Sequence, residues 1–266
     1  MFIGTHQIAR TRNLQHMFLS VVIPAYNEES RIESTVETLV EFLDKWFKDF
    51  LWELLVVNDG SIDSTAEIVS NINKADPRIR LVDTLHGGKG SAVRAGMASA
   101  TGEWRFLCDA DLSMPAENLK RFFKCIDGVL VPKFDISIAS REATGARRFN
   151  EPRSRHIKGR LFNYAVKILA LRGIEDTQCG FKMFSAESVE KLFPHQSLGG
   201  WAFDVELLVM AKNSGFTIGE IPIDWYFREG SKMTLSRGLI AVLDVARVGF
   251  NNILGRYGVV GRKSGS

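Results

Sequence analysis

Between Leu19 and Asp111 short apolar runs alternate with helix-like stretches, and this rhythm constrains the fold more than any other feature of the chain. LSVVIP (19–24) is a continuous apolar run closed by proline, the pattern of a strand buried on both faces. RIESTVETLVEFLDKWF then sets Ile32, Val36, Leu39, Val40, Leu43 and Phe47 on one helical face. ELLVVN (53–58) predicts a second strand, SIDSTAEIVSNI a capped helix and RIRLVD (78–83) a third strand. GKGSAVRAGMASA predicts a helix opened by glycine, and EWRFLCDAD a fourth strand. Strand and helix in strict alternation give a parallel sheet with right-handed crossovers.

Ligands of such sheets bind at the C-terminal edge of the strands. Four polar clusters fall there: Pro24-Ala25-Tyr26-Asn27-Glu28, Asn58-Asp59-Gly60-Ser61, Gly87-Gly88-Lys89-Gly90 and Asp109-Ala110-Asp111. One cluster alone is ordinary loop composition; four in register point to a site. Asp109 and Asp111 stand two residues apart at the predicted end of the fourth strand. Where the strand ends in a turn, both can approach one hard cation, and two carboxylates plus substrate phosphates is the usual holder of Mg2+ or Mn2+. The competing reading is helix capping by Asp111 or Ser113 ahead of Pro115. Glu28 and Asp59 suit ribose hydroxyls or a base N–H, or simply a helix N-terminus. Lys89 suits a base carbonyl or a phosphate.

Several chemistries are excluded by pattern. Lys89 lacks P-loop spacing, no G-x-G-x-x-G follows the first strand, and no G-x-S-x-G occurs. The five histidines (6, 16, 86, 156 and 195) are scattered, with no metal-type pair. Cys108, Cys125 and Cys179 are odd in number and fit no zinc spacing, so reduced thiols are expected.

After Pro132 the character changes. FDISIASR (134–141) predicts a strand ending at Arg141. Arg147, Arg148, Arg153, Arg155, Lys158, Arg160 and Lys167 follow, opposed only by Glu142 and Glu151. Within this cationic segment RLFNYAVKILAL predicts an amphipathic helix, and TIGEIPIDWYF reads as strand further on. A last helix, about 235–254, puts Leu235, Leu239, Val242, Leu243, Ala246, Phe250 and Leu254 on one face and Arg237, Asp244, Arg247 and Asn251 opposite. That apolar face suits core packing, a membrane interface or a subunit contact. No run is long and apolar enough for a signal peptide or a membrane span.

VVIPAYNEE, VVNDGSIDST, GGKGSAVRAGM and DADLSMP together resemble, in order, the nucleotide-binding half of inverting family 2 glycosyltransferases. ASR, DTQCGFKMF, WAFDVELL and REGSKM more narrowly resemble the polyprenyl-phosphate (dolichyl-phosphate) hexosyltransferases, nearest the dolichyl-phosphate β-glucosyltransferase branch. The resemblance implies an α/β GT-A (Rossmann-like) fold: a mostly parallel central sheet flanked by helices, with a C-terminal amphipathic helix. It divides the chain into an extension (1–18), a GT-A domain (19–255) and a flexible tail (256–266). Within the domain, 19–132 is the nucleotide-sugar half, 133–234 the acceptor half and 235–255 the amphipathic helix. Pro24, Ala25, Tyr26, Glu28, Val57, Asp59 and Lys89 would hold the nucleoside, with Ala110 near the ribose. Asp109 and Asp111 would hold Mg2+ or Mn2+ on the diphosphate. Arg141, Arg155, Arg228 and Lys232 would bind the acceptor and phosphates, and Asp111, Arg141 and Asp204 would carry catalysis. Ser113 stands where mannosyltransferases of this group often carry Gln, and Q-x-x-R-W of processive synthases is absent.

The implied reaction joins the hexose of a UDP-sugar, glucose by branch, to a polyprenyl monophosphate with inversion. A phosphate monoester is largely ionised at pH 7, its second pKa being near ~6, so no general base is required. Were the acceptor a sugar hydroxyl, Asp204 or Glu206 would be the base. Asp176 is read as orienting an arginine. GDP-mannose as donor, a hydroxyl acceptor and a non-catalytic membrane-surface protein are the alternatives. Nucleic acid is not expected, because no aromatic residues interleave with the charges. The expected location is cytoplasmic, peripheral on the cytoplasmic membrane face, with homo-oligomers left open.

Overall fold

A computed structural model describes residues 17–126, 129–228 and 235–258. Its centre is a seven-stranded sheet. The first half alternates as expected: β1 (Met17–Ala25), α1 (Ile32–Trp46), β2 (Leu51–Asp59), α2 (Thr65–Ala75), β3 (Ile79–Thr84), α3 (Lys89–Ser99) and β4 (Trp104–Leu107). Then come β5 (Phe123–Ile126) and β6 (Val129–Pro132), an antiparallel pair, and β7 (Ile136–Ser140). The cationic segment holds β8 (Arg147–Phe149) and α4 (Arg153–Leu169). β9 (Lys182–Ser185), α5 (Ala186–Leu192), α6 (Phe203–Asn213), β10 (Ile218–Pro222), β11 (Asp224–Tyr226) and α7 (Leu235–Ile253) complete the chain.

The sheet order is β10-β7-β9-β4-β1-β2-β3. All its pairings are parallel except those of β9, which runs antiparallel between β4 and β7. That one reversal joins the halves: Lys182 of β9 stands opposite Leu107, the last residue of β4. TIGEIPIDWYF is not one strand. It breaks at buried Ile223, and β11 leaves the main sheet to pair with β8.

The core lies on both faces of the sheet. Val21, Ile23, Leu54 and Val56 pack toward α1 and α2, and Ile32, Val36, Leu39, Leu43 and Phe47 of the helical face are buried as its period predicts. Val22, Leu55 and Val57 pack the other way, toward α3, α5 and α6. α3 approaches so closely that a Cβ on Gly96 would lie 2.4 Å from Val22 Cγ1. Burial on both faces explains why β1 and β2 read as unbroken apolar runs.

Candidate active site

β4 stops at Leu107, so Cys108–Asp111 is a turn rather than the end of a strand. The Leu112 amide donates to the Asp109 carbonyl (3.3 Å), and the Ser113 amide donates to Asp111 Oδ1 (2.9 Å). Leu112 itself sits at φ 42°, a left-handed conformation uncommon outside glycine. Thr35 of α1 donates from Oγ1 to the Ala110 carbonyl (2.7 Å) and ties the turn to the helical layer. Asp109 and Asp111 then face one cavity of about 520 Å³. Gly180 backs Asp109: a Cβ at 180 would lie 1.9 Å from Asp109 Oδ2.

Asp59 ends β2 and is 3% exposed. It accepts the Gly87 amide (2.8 Å) on Oδ1 and the Gly88 amide (3.1 Å) on Oδ2, and His86 Nδ1 lies 3.0 Å from Oδ2. Its carboxylate thus shapes the glycine loop that opens α3. Gly88 is at φ 89°, with the Gly199 carbonyl 2.7 Å from where a Cβ would be, so glycine alone fits. Tyr26 stacks on His86 with centroids 4.3 Å apart. Glu28 pairs with Arg31 at 3.0 Å. Pro24, Ala25 and Ala110 complete this side of the cavity.

Lys89 Nζ lies 2.6 Å from Asp109 Oδ1 and 5.3 Å from the Trp201 ring centroid. Burial works against its charge, but Asp109 and Asp204 outweigh it and hold the ammonium above the usual lysine range.

The opposite wall is cationic. Arg141 follows β7 and forks onto buried Asp176: Nε to Oδ2 at 2.7 Å, Nη2 to Oδ1 at 2.8 Å, with its amide also on Oδ2 (3.0 Å). Burial opposes both charges, yet their mutual pull keeps Asp176 below the usual carboxylate range and raises Arg141. Asp176 therefore orients an arginine as expected, and that arginine is Arg141. Arg155 of α4 lies over Trp225 and Phe227, at 5.8 and 5.3 Å from the ring centroids, while Arg141 lies 5.5 Å from Trp225. Burial, then the like charge of Arg141, lowers the Arg155 pKa. Among the described residues no carboxylate lies within ion-pair distance of Arg155. Arg228 is exposed at the mouth.

Twelve of the expected residues line the cavity: Pro24, Ala25, Tyr26, Glu28, Asp59, Lys89, Asp109, Ala110, Asp111, Arg141, Arg155 and Arg228. Lys232 lies outside the described residues. Two expectations are corrected. Val57 is fully buried in the core, its Cγ2 against Gly96, because it lies two residues short of Asp59 on the same face of β2, beneath α3 rather than at the strand end. Asp204 is buried 2.9 Å from Lys182 Nζ and lines no part of the cavity. Burial raises its pKa, and Lys182 and Lys89 only partly offset this. Glu206 is likewise no free base: it accepts the Ser197 and Leu198 amides and the Tyr257 hydroxyl.

The last helix turns the other way from core packing on its large apolar face. Ala241, Val245 and Val248 are buried, while Leu239, Leu243, Phe250 and Leu254 are exposed. The cavity also gains His86, Trp201, Trp225 and Asp244, which sequence reasoning passed over. Trp201 and Trp225 stand in quoted motifs, but nothing local marks them as stacking platforms for Lys89 and the arginines.

Asp109 and Asp111 offer hard oxygen donors, and among the described residues no cluster of three or more His, Cys, Asp or Glu adds nitrogen or sulfur. That donor set fits Mg2+ or Mn2+, which keep several positions for water and substrate oxygens.

Residues 20–193 match the family described as glycosyl transferase family 2. The chain is 36% identical over 238 residues to a dolichyl-phosphate beta-glucosyltransferase (ALG5C) of Trichomonas vaginalis, covering 87% of this chain and 71% of the relative. It is 32% identical to the dolichyl-phosphate beta-glucosyltransferase of Saccharomyces cerevisiae, covering 91% and 77%. Among solved structures it superposes on glucosyl-3-phosphoglycerate synthase of Mycobacterium tuberculosis in complex with Mn2+, UDP-glucose and phosphoglyceric acid. There the TM-score is 0.62 at 18% identity, covering 94% of this chain and 82% of the other.

Proposed function

This chain belongs to glycosyl transferase family 2, and on that premise we propose that it transfers a hexose, glucose, from UDP-glucose to a polyprenyl (dolichyl-type) monophosphate with inversion. It is a glycosyltransferase of GT-A fold. The observation that carries the reading is one cavity with an acid clamp, Asp109 and Asp111, facing an arginine wall, Arg141, Arg155 and Arg228. Such a cavity is suited to bring two anions together, a donor diphosphate and an acceptor phosphate. The names of the relatives support the acceptor, and the UDP-glucose complexes of the structural neighbour support the donor.

The chain's own groups divide the work. Pro24, Ala25, Tyr26 and the loop shaped by Asp59 hold the nucleoside. Asp109 and Asp111 would hold Mg2+ or Mn2+, which would stabilise charge on the departing diphosphate. Lys89, already cationic beside Asp109, reaches the same oxygens. Arg141, locked by Asp176, and Arg155, on its aromatic bed, offset the repulsion between the two phosphates. An acceptor phosphate oxygen then attacks the anomeric carbon in line as the carbon–oxygen bond to the diphosphate breaks, releasing UDP. The nucleophile is already an anion. In keeping with that, neither Asp204 nor Glu206 is available to take a proton from a hydroxyl acceptor.

The test is a screen of radiolabelled UDP- and GDP-sugars against a polyprenyl phosphate. Label should move from UDP-glucose into lipid; label moving only from GDP-mannose, or only into a sugar hydroxyl, overturns the reading. The acceptor is an amphiphile, so the enzyme works peripherally at a membrane surface, for which we propose the cytoplasmic face.

A further inference from the structure

One charged group in the cavity has no work in the reaction described above. Asp244 of α7 lines the cavity together with Ile240 and Ala241, one helical turn before it. The other four carboxylates of the cavity are engaged. Glu28 pairs with Arg31, Asp59 holds the Gly87 and Gly88 amides, Asp109 meets Lys89 and Asp111 takes the Ser113 amide. Among the described residues Asp244 has neither a hydrogen bond nor an ion pair. Burial raises its pKa, and Arg247 only partly offsets this. A half-buried carboxylate left open toward a ligand cavity is a group waiting for donors.

The loop before α6 stands against it. A Cβ on Gly200 would lie 3.8 Å from Asp244 Oδ2, and Trp201 follows at once. That loop is pinned from several sides. Glu206, fully buried, accepts the Ser197 and Leu198 amides at 3.0 and 2.9 Å. The Gly199 carbonyl accepts the Gly90 amide at 2.8 Å, at the start of α3. Gln196 Nε2 donates to the Gly90 and Leu198 carbonyls at 2.8 and 2.9 Å, and Gln178 Nε2 to the Trp201 carbonyl at 2.9 Å. These anchors hold the Trp201 ring centroid 5.3 Å from Lys89 Nζ, which itself lies 2.6 Å from Asp109. Contacts therefore run in sequence from the acid clamp through Lys89 and Trp201 to Asp244. A wall fixed in this way before any ligand arrives is pre-organised for recognition.

Charge identifies what Asp244 faces. Both substrates bring phosphates, and a bare carboxylate repels them. The nucleoside has its own lining in Pro24, Ala25, Tyr26 and the loop shaped by Asp59. The neutral, hydroxyl-rich piece that remains is the hexose, bonded to the diphosphate that the clamp would hold. A carboxylate accepts charge-assisted hydrogen bonds from sugar hydroxyls, and an indole offers a flat apolar wall to the C–H face of a pyranose. We propose that Asp244 and Trp201 form the hexose subsite, with Asp244 accepting from sugar hydroxyls and deciding which sugar is held. A site built to bond a hydroxyl rejects an analogue that lacks it, because its own polar group is then left unpaired. The assignment rests on the nucleotide-sugar reading of the cavity and is independent of the acceptor.

The test is calorimetry on the full chain with Mn2+ and no acceptor, comparing UDP with UDP-glucose. Asp244→Asn keeps the shape and removes the charge. It should weaken UDP-glucose by about tenfold or more, the usual scale of a hydrogen bond to a charged group, and leave UDP within about twofold. Trp201→Leu should likewise weaken UDP-glucose more than UDP. Among UDP-glucose analogues lacking one hydroxyl, the parent should bind at least one about tenfold more weakly than UDP-glucose, while Asp244→Asn binds the two alike. That non-additivity marks a direct contact. The melting temperature of Asp244→Asn should match the parent. Equal losses for UDP and UDP-glucose would make the residue structural and overturn the proposal. So would unchanged UDP-glucose binding with lost turnover, the mark of a general base. Parent protein that binds neither ligand sinks the donor reading and this assignment together. Parent and Asp244→Asn that bind UDP-glucose equally well sink the assignment alone.

Discussion

The two walls of the cavity are built in opposite ways. The acid wall comes from successive strand ends of one parallel sheet, in chain order, and backbone amides one to three residues away or in the next loop hold it in shape. Ser113 serves Asp111, and Gly87 and Gly88 serve Asp59. The basic wall is gathered from the end of β7, the start of α4 and the segment after β11, and is held by a buried carboxylate and a tryptophan. One wall is local in the chain; the other is non-local. Damage to the first should remove chemistry and spare the fold, while damage to the second should remove both.

The largest effect is expected on the acid wall. Asp109→Ala or Asp111→Ala should abolish transfer, with circular dichroism and melting close to the parent. Near-normal turnover by either variant in EDTA would break the contrast at its root. On the basic wall, Asp176→Asn leaves Arg141 buried against a neutral partner and should destabilise by about 3–5 kcal/mol, the usual cost of halving a buried pair. Denaturant unfolding measures this, and a loss under ~1 kcal/mol would mean the pair is no better than a surface one.

A pH series sharpens the same difference. Asp176 and Glu53 titrate below the usual carboxylate range, about pH 4, once burial is offset by Arg141 for the first and by Ser20, Thr101 and Arg80 for the second. Their stabilisation is complete above that range and is lost as pH falls through the lowered values. Asp204 has the opposite sign: burial raises its pKa, so its contribution favours low pH and fades as pH rises. Acid unfolding should therefore begin near or below pH ~4 and flatten in Asp176→Asn. The smallest effect concerns the thiols. Cys108 lies behind the acid wall with its pKa raised by burial, and burial pushes Cys179 up to about 12. Only Cys125 is exposed, so a thiol reagent should label it quickly without loss of activity.

The same contrast explains what the sequence made legible. Apolar runs and the polar clusters after them are local patterns, so β1 to β4 and their rim could be read directly. Asp204 and Lys182 lie 22 positions apart, and only β9, reversed between β4 and β7, brings the lysine under the glycosyltransferase motif. Val57 misled because motif membership says nothing of how far back from the strand end a side chain lies, and α3 covers it at Gly96. The last helix was left open between core and surface, and packing decides it. Its largest apolar residues suggest the buried face, yet contact with the α4 backbone at Gly249 demands small ones, so Ala241, Val245 and Val248 turn inward.

Gly180 gives this a practical edge. Exchanging it for alanine adds one methyl group, changes no charge and touches no motif carboxylate in the written sequence. In space that methyl would occupy the seat of Asp109 Oδ2. A ranking of substitutions by chemical similarity would class Gly180→Ala among the mildest in the chain. The geometry classes it beside Asp109→Ala, as a lesion that evicts a carboxylate without rewriting it.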